Sequence, residues 1–304
     1  MALFLLNTAI TKKYKTMKKI ITYCLVLFIT TTSFILNTKQ SLNNEAKSII
    51  EKMLVSIDKI KSLQYSMKGW ERMPDGKDQY SDIDAKLNVK PHRVYLLSKA
   101  EPNKGVQIIY NEELFGKKAY VNAGKFIPNL KLDPFSARMR EKQHHTILNT
   151  GFNTLSSIIK NALQRAEKEA NQQDFDKFLT YDGEVTWNNL KCYKITITDP
   201  TFKYIDYTVK EGDDVEKLER ERFICGHLII EKNKSVKDFW SLKPGMKIKI
   251  PSSYAKKTVL YIDKVTNLPV LQIMSDEVGQ FEKYEFYNVK VNPTFTGAEF
   301  KDFP

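Results

Sequence analysis

The residues able to do chemistry in this 304-residue chain are few and scattered. Four histidines and three cysteines are present. His144 and His145 are adjacent, with His92 well upstream. Neighbouring side chains diverge on a helix or a strand, and no cysteine, aspartate or glutamate completes a sensible ligand set. The expectation is therefore no metal and no cofactor, with the two histidines part of a polar connector. Arg138, Arg140, His144 and His145 together suit a basic rim that would meet a phosphate or a carboxylate; the plainer alternative is a solvated helix face. Asp213-Asp214 and the Glu219/Glu221 pair have the residue types of glycosidase acids, but no spacing that selects that role. Phosphate-binding loops, dinucleotide fingerprints, nucleophile elbows and zinc-protease motifs do not occur in the sequence. No enzyme is expected.

These residues must be held by an order of elements that the hydrophobic period supplies. Ile49, Ile50, Met53, Leu54, Ile57 and Ile60 recur at helical spacing, predicting an amphipathic helix from about Asn43 to Leu63. From Gln64 the period changes to two. Ile83, Ala85, Leu87 and Val89 alternate with Asp84, Lys86 and Asn88, as in a half-buried antiparallel strand. Short strands follow at Arg93–Ser98, Val106–Asn111 and Lys117–Asn122. A helical interval then holds a short basic helix after Asp133-Pro134 and a longer one over Phe152–Ala170. Strands return at Glu184–Trp187, Lys191–Thr198, Lys203–Val209, Thr258–Asp263, Val270–Ser275 and Gln280–Val291. Strands, helices and strands again predict an α+β domain with a largely antiparallel sheet. Its rings include Trp70, Tyr95, Tyr110, Tyr120, Tyr193 and Phe286, which would either line a wide apolar cavity or fill an ordinary core.

Composition narrows the functional class. With 42% hydrophobic, 28% charged and 12% aromatic residues, the chain has material for a real core. The formal net charge is +12, but residues 1–40 carry six lysines and no acid, leaving 42 basic against 36 acidic residues elsewhere. That modest excess suits anionic head groups or wall polymer and does not call for nucleic acid. Met17-Lys18-Lys19 followed by Ile20–Ile29 reads as the charged and apolar regions of an export signal, with an uncleaved anchor through Leu36 as the alternative. Cys24 lies inside that apolar run. Cys192 and Cys225 remain, either paired in an oxidising compartment or present as two small buried thiols.

Two resemblances follow. Tyr65-Ser66-Met67-Lys68-Gly69-Trp70, then Leu87 to Leu96, Met139 to Ile147, Thr266 to Val270 and Tyr284 to Pro293 occur in an order that resembles the LolA/LolB-like periplasmic lipoprotein-carrier superfamily. The resemblance implies an antiparallel half-open β-barrel closed by amphipathic helices, binding a lipid or an acylated protein in the periplasm. Between its strands, Tyr207 to Val215, Leu228 to Asn233 and Leu242 to Pro251 resemble a LysM module, a small βααβ unit. That implies peptidoglycan as a partner, contacted through Gly212, Asp213, Asp214 and Asn233. The implied organisation is a targeting segment over 1–40, a half-barrel over 41–206 and 252–304, and an insertion over 207–251. A wall-binding adaptor with a filled barrel is the alternative function.

Overall fold

A computed structural model describes residues 44–124, 126–169 and 178–303; the targeting segment expected over 1–40, with Cys24, lies outside them. The alternation read from the sequence builds one large sheet. Its strands are β1 (Ser62–Arg72), β2 (Asp78–Asn88), β3 (Arg93–Ser98), β4 (Gln107–Asn111), β5 (Ala119–Asn122), β6 (Leu130–Leu132), β7 (Leu179–Trp187) and β8 (Leu190–Thr198). After an insertion come β11 (Lys257–Asp263), β12 (Pro269–Ser275) and β13 (Gln280–Val291). Eleven strands lie in the order β6-β5-β4-β3-β2-β1-β13-β12-β11-β8-β7, all paired antiparallel, so the sheet is open with β6 and β7 at its edges among the described residues. Tight connections set the register. Asn188 and Asn189 both take positive φ between β7 and β8, the geometry a two-residue hairpin needs. Within β7 the pairing to β8 slips between Tyr181 and Glu184, where Gly183 sits at φ 91°.

Helix α1 (residues 44–58) and helix α2 (Asn153–Glu169) follow the predicted apolar spacing. Ile50, Met53 and Ile57 from α1 and Leu155, Ile158 and Ile159 from α2 join Leu63, Tyr65, Leu87, Val94, Ile195, Leu260, Tyr284 and Phe286 of the sheet in one buried cluster. Beneath them Tyr65 packs against Phe152 and Phe286, with ring centroids 6.1 and 5.6 Å away, and its hydroxyl accepts from the Gly151 amide. The opposite face of the sheet carries a smaller cluster. There Tyr95, Ile109 and Tyr120 meet Phe300 and Phe303 from the C-terminal segment.

The predicted strand over Lys203–Val209 does not join the main sheet. It forms β9 (Tyr204–Thr208), which pairs only with β10 (Lys247–Pro251). Between them lie α3 (Val215–Arg222) and α4 (Gly226–Lys232), giving a βααβ unit with its own core of Val215, Leu218, Ile229, Phe239, Ile248 and Ile250. The pairing begins at Tyr204 opposite Pro251, so the unit is somewhat longer than the expected 207–251. The main sheet resumes immediately outside it, with Thr198 of β8 opposite Lys257 of β11.

Candidate functional site

The most unusual chemistry begins with a conflict inside the sheet. Glu71 of β1 and Glu282 of β13 are directly opposite each other, and both carboxylates turn into the covered face. Like charges on cross-strand neighbours repel, and burial makes each more costly. The segment after the turn Ala137–Arg140 resolves the conflict by lowering His144 between them. The His144 backbone N–H donates to Glu71 (2.9 Å), and its ring Nδ1 lies 2.8 Å from Glu282 Oε1. On the other side of the ring, Nε2 donates to the Arg72 carbonyl oxygen (2.9 Å). Tyr284 donates its hydroxyl to Glu71, and Tyr254 donates to Glu282 Oε1 (2.7 Å). His145 Nε2 stands 3.6 Å from the same oxygen.

The inserted unit closes this junction. Cys225, at the start of α4, places its sulfur 3.7 Å from His144 Nδ1, and the His227 ring stacks on His144 at 4.5 Å. Arg140 is 1% exposed, bridges Glu216 and Glu219 of α3, and lies 4.0 Å above the Phe239 ring. Arg72 pairs with Glu231 of α4 (3.1 Å) and with Asp276 (2.8 Å). Pairs of this kind hold the unit in one orientation, because a buried charge left without its partner is strongly unfavourable.

Protonation follows from these contacts. Burial opposes protonation of His144, yet Cys225, Glu282 and Glu71 outweigh it and hold the ring well above the usual histidine value. Burial alone would raise Glu282, but His145 and His144 draw its carboxyl far below the usual range. Burial pushes Glu219 up to about 7 despite Arg140, and burial pushes the Cys225 thiol up. His227 is held well below the ordinary value by burial and by the neighbouring His144 and Arg140 charges. A cysteine, a histidine and a glutamate thus meet, but not as a catalytic relay. Both Cys225 and Glu282 address the same ring nitrogen, whereas a relay needs base and orienter on opposite nitrogens.

The expected basic rim is therefore corrected. Arg138 is exposed, while Arg140 and His144 point inward to carboxylates and His145 stacks parallel to Tyr254. Cys192 and Cys225 are both free and buried, so the alternative of a disulfide is set aside. The six rings expected to line one cavity fall on two faces. Tyr110, Tyr193 and Phe286 belong to the helix-covered cluster. Tyr95 and Tyr120 lie under the C-terminal segment, and Trp70 packs at a tilt beside Tyr80, ring centroids 5.2 Å apart, on the same face, which the helices leave uncovered. Strand alternation forbids all six from sharing a surface.

Two spaces illustrate the difference. Beneath α2, beside Ile158, Phe178, Ile197 and Tyr254, the enclosed volume is about 20 Å³, room for roughly one water. On the uncovered face a groove of about 490 Å³ is lined by Gln64, Ser66, Lys86, Tyr95, Leu97 and Lys290, among others. Asp84 at its edge is neutralised by Lys99 (2.8 Å) and accepts from Ser66.

In the βααβ unit, the four residues expected to meet glycan serve the unit itself. Gly212 supplies positive φ at the turn. Asp213 accepts from Tyr207, from the Lys210 amide and from Lys217. Asp214 caps α3 by accepting from the Lys217 amide, at 2.6 Å. Asn233 is buried and bonded to Ile229 and to both backbone groups of Lys249. Sequence reasoning passed over Trp240, which is 43% exposed. The Val215 N–H donates to the Phe239 carbonyl (3.0 Å), tying the start of α3 to the segment that carries Trp240, whose ring lies 6.0 Å from that of Phe239.

Residues 60–209 match a family described as a protein of unknown function, DUF1571. No curated protein matches the chain. Among solved structures, the Mycobacterium tuberculosis lipoprotein LppX is similar at 10% identity and a TM-score of 0.38, covering 83% of this chain and 98% of that one. LprF from Mycobacterium bovis gives 11% and 0.40, with 83% and 95% covered. A LolA-superfamily protein from Nitrosomonas europaea gives 11% and 0.32, with 82% and 94% covered.

Proposed function

We propose that this is a non-enzymatic envelope protein that binds an amphiphile with an anionic head, a lipid or an acylated peptide, in the groove on the uncovered face of its sheet. The observation that carries this is the groove itself, whose volume falls in the range of ligand sites. Tyr95 and Leu97 offer apolar contact, and Lys86 and Lys290 add positive charge near them. Each methylene fully withdrawn from water contributes about 0.8 kcal/mol, and roughly half that in a groove with one side wet. A phosphate or carboxylate between two lysines would set the register of the chain. Export through the segment over 1–40 would place the protein where such ligands occur. The covered face is a packed core, so an acyl chain entering there would have to displace α2.

The test is titration with a fluorescent fatty acid and with phosphatidylglycerol vesicles. Saturable binding that weakens at least tenfold in the Lys86→Glu/Lys290→Glu double variant is the expected result. Absence of binding to either probe, or binding indifferent to the double variant, removes the proposal.

A second reading is a wall-binding adaptor, favoured by the exposure of Trp240 in the βααβ unit. Flat aromatic rings give sugars a stacking surface, and the LysM resemblance implies N-acetylglucosamine polymers there. Retention on peptidoglycan, lost in Trp240→Ala, supports this reading; equal retention of both proteins excludes it.

A further inference from the structure

The junction between the sheet and the βααβ unit carries a feature that neither binding reading uses. His144 Nδ1, Cys225 Sγ and a Glu282 carboxylate oxygen lie within 4.8 Å of one another, and all three residues are buried. Each comes from a different part of the chain: the connector, the inserted unit and β13. We propose that these three side chains form a site for a borderline divalent cation of the zinc type, which staples the inserted unit to the sheet.

Four observations support it. First, the donor set of one thiol, one imidazole and one carboxylate matches the ligand preferences of zinc. Second, the His144 ring is already fixed for ligation, because Nε2 donates to the Arg72 carbonyl and leaves Nδ1 facing the other two donors. Metal-bound histidines are usually oriented by this kind of outer bond. Third, the Nδ1 to Sγ separation of 3.7 Å is close to the edge of a tetrahedron built from ordinary zinc–nitrogen and zinc–sulfur bonds, about 3.6 Å. Nδ1 to Oε1, at 2.8 Å, is a hydrogen-bond distance and would open by about half an ångström on binding. Fourth, Glu282 Oε2 is fully buried and has no hydrogen-bond partner, a costly state for a carboxylate oxygen. Tyr254, already donating to Glu282, would serve as an outer contact, and a water or a second carboxylate oxygen would complete the shell.

The experiment uses the full chain, purified without chelator from zinc-supplemented medium, with metal content measured by mass spectrometry. The expected result is one zinc per chain. X-ray absorption at the zinc edge should show a single sulfur in a shell otherwise of nitrogen and oxygen. Cobalt substitution should produce a sulfur-to-metal charge-transfer band that persists in Cys192→Ser and is lost in Cys225→Ser. If Cys225→Ser fails to fold, the absorption spectrum of the unaltered protein still decides. Less than a tenth of an equivalent of zinc, or a shell without sulfur, overturns the proposal.

Discussion

The covered face of the sheet has two ends built on different principles. At one end Tyr65, Phe152, Phe286 and Ile50 fill space under α1 and α2 with interchangeable apolar atoms. At the other end Glu71, Arg140, His144, Glu219 and Glu282 satisfy one another through directed contacts to the inserted unit. The first end gains from area alone and tolerates changes of shape. The second gains little net energy from its charges, since desolvation offsets their attraction, but it admits only one arrangement. The pair teaches how the fold divides its work: hydrocarbon makes the body stable, and the ionic junction fixes where the βααβ unit sits.

Substitutions at the two ends should separate sharply. Arg140→Ala leaves Glu216 and Glu219 facing a vacated, largely buried space, and should cost about 4 kcal/mol in urea unfolding. A loss under 1 kcal/mol would mean the junction is not specific. The next effect concerns pH. Glu219 has a folded value near 7, above the ordinary 4.5, so the folded state keeps its proton longer than the unfolded state does. Its contribution is greatest below pH 4.5 and declines as pH rises towards 7, by roughly 3 kcal/mol over the window. Glu219→Gln should flatten that slope in thermal melts, and an unchanged slope would assign it elsewhere. Least affected should be Phe286→Leu, at about 1.5 kcal/mol or less, because its neighbours can close around a smaller apolar group. A larger loss would show that the apolar end is as exacting as the ionic one.

Much of the apolar end was legible in the sequence, because period two and period three-and-a-half announce which side chains turn inward. Ile49, Ile50, Met53 and Ile57 lie where helical spacing puts them, and so do Ala85 and Leu87 in β2. The ionic end was not legible. His144, Cys225 and Glu282 are far apart in sequence, and the connector, the inserted unit and β13 must all converge to bring them together. One signal was present: Glu282 shares strand parity with Tyr284 and Phe286, as Glu71 does with Tyr65 and Met67. An acid in register with a row of buried rings announces a partner, although not its identity. The aromatic lining failed for a related reason. Tyrosine is amphipathic enough for either side of a sheet, so the presence of rings does not choose a face. The βααβ order was readable from Gly212-Asp213 and from the closing Lys243-Pro244-Gly245, whereas exposed Trp240 lies in a stretch without period.

The irregularity within β7 has a consequence for how molecules meet. A flat outer strand offers its free amides and carbonyls to any passing extended chain, and stacking of sheets would follow. Here the slip between Tyr181 and Glu184, turned by Gly183, bends that margin, with Asp182 and Glu184 paired to Lys194 and Lys264. A newcomer would find no straight ladder to extend. Among the described residues, the β7 edge is thus a poor template for an added strand.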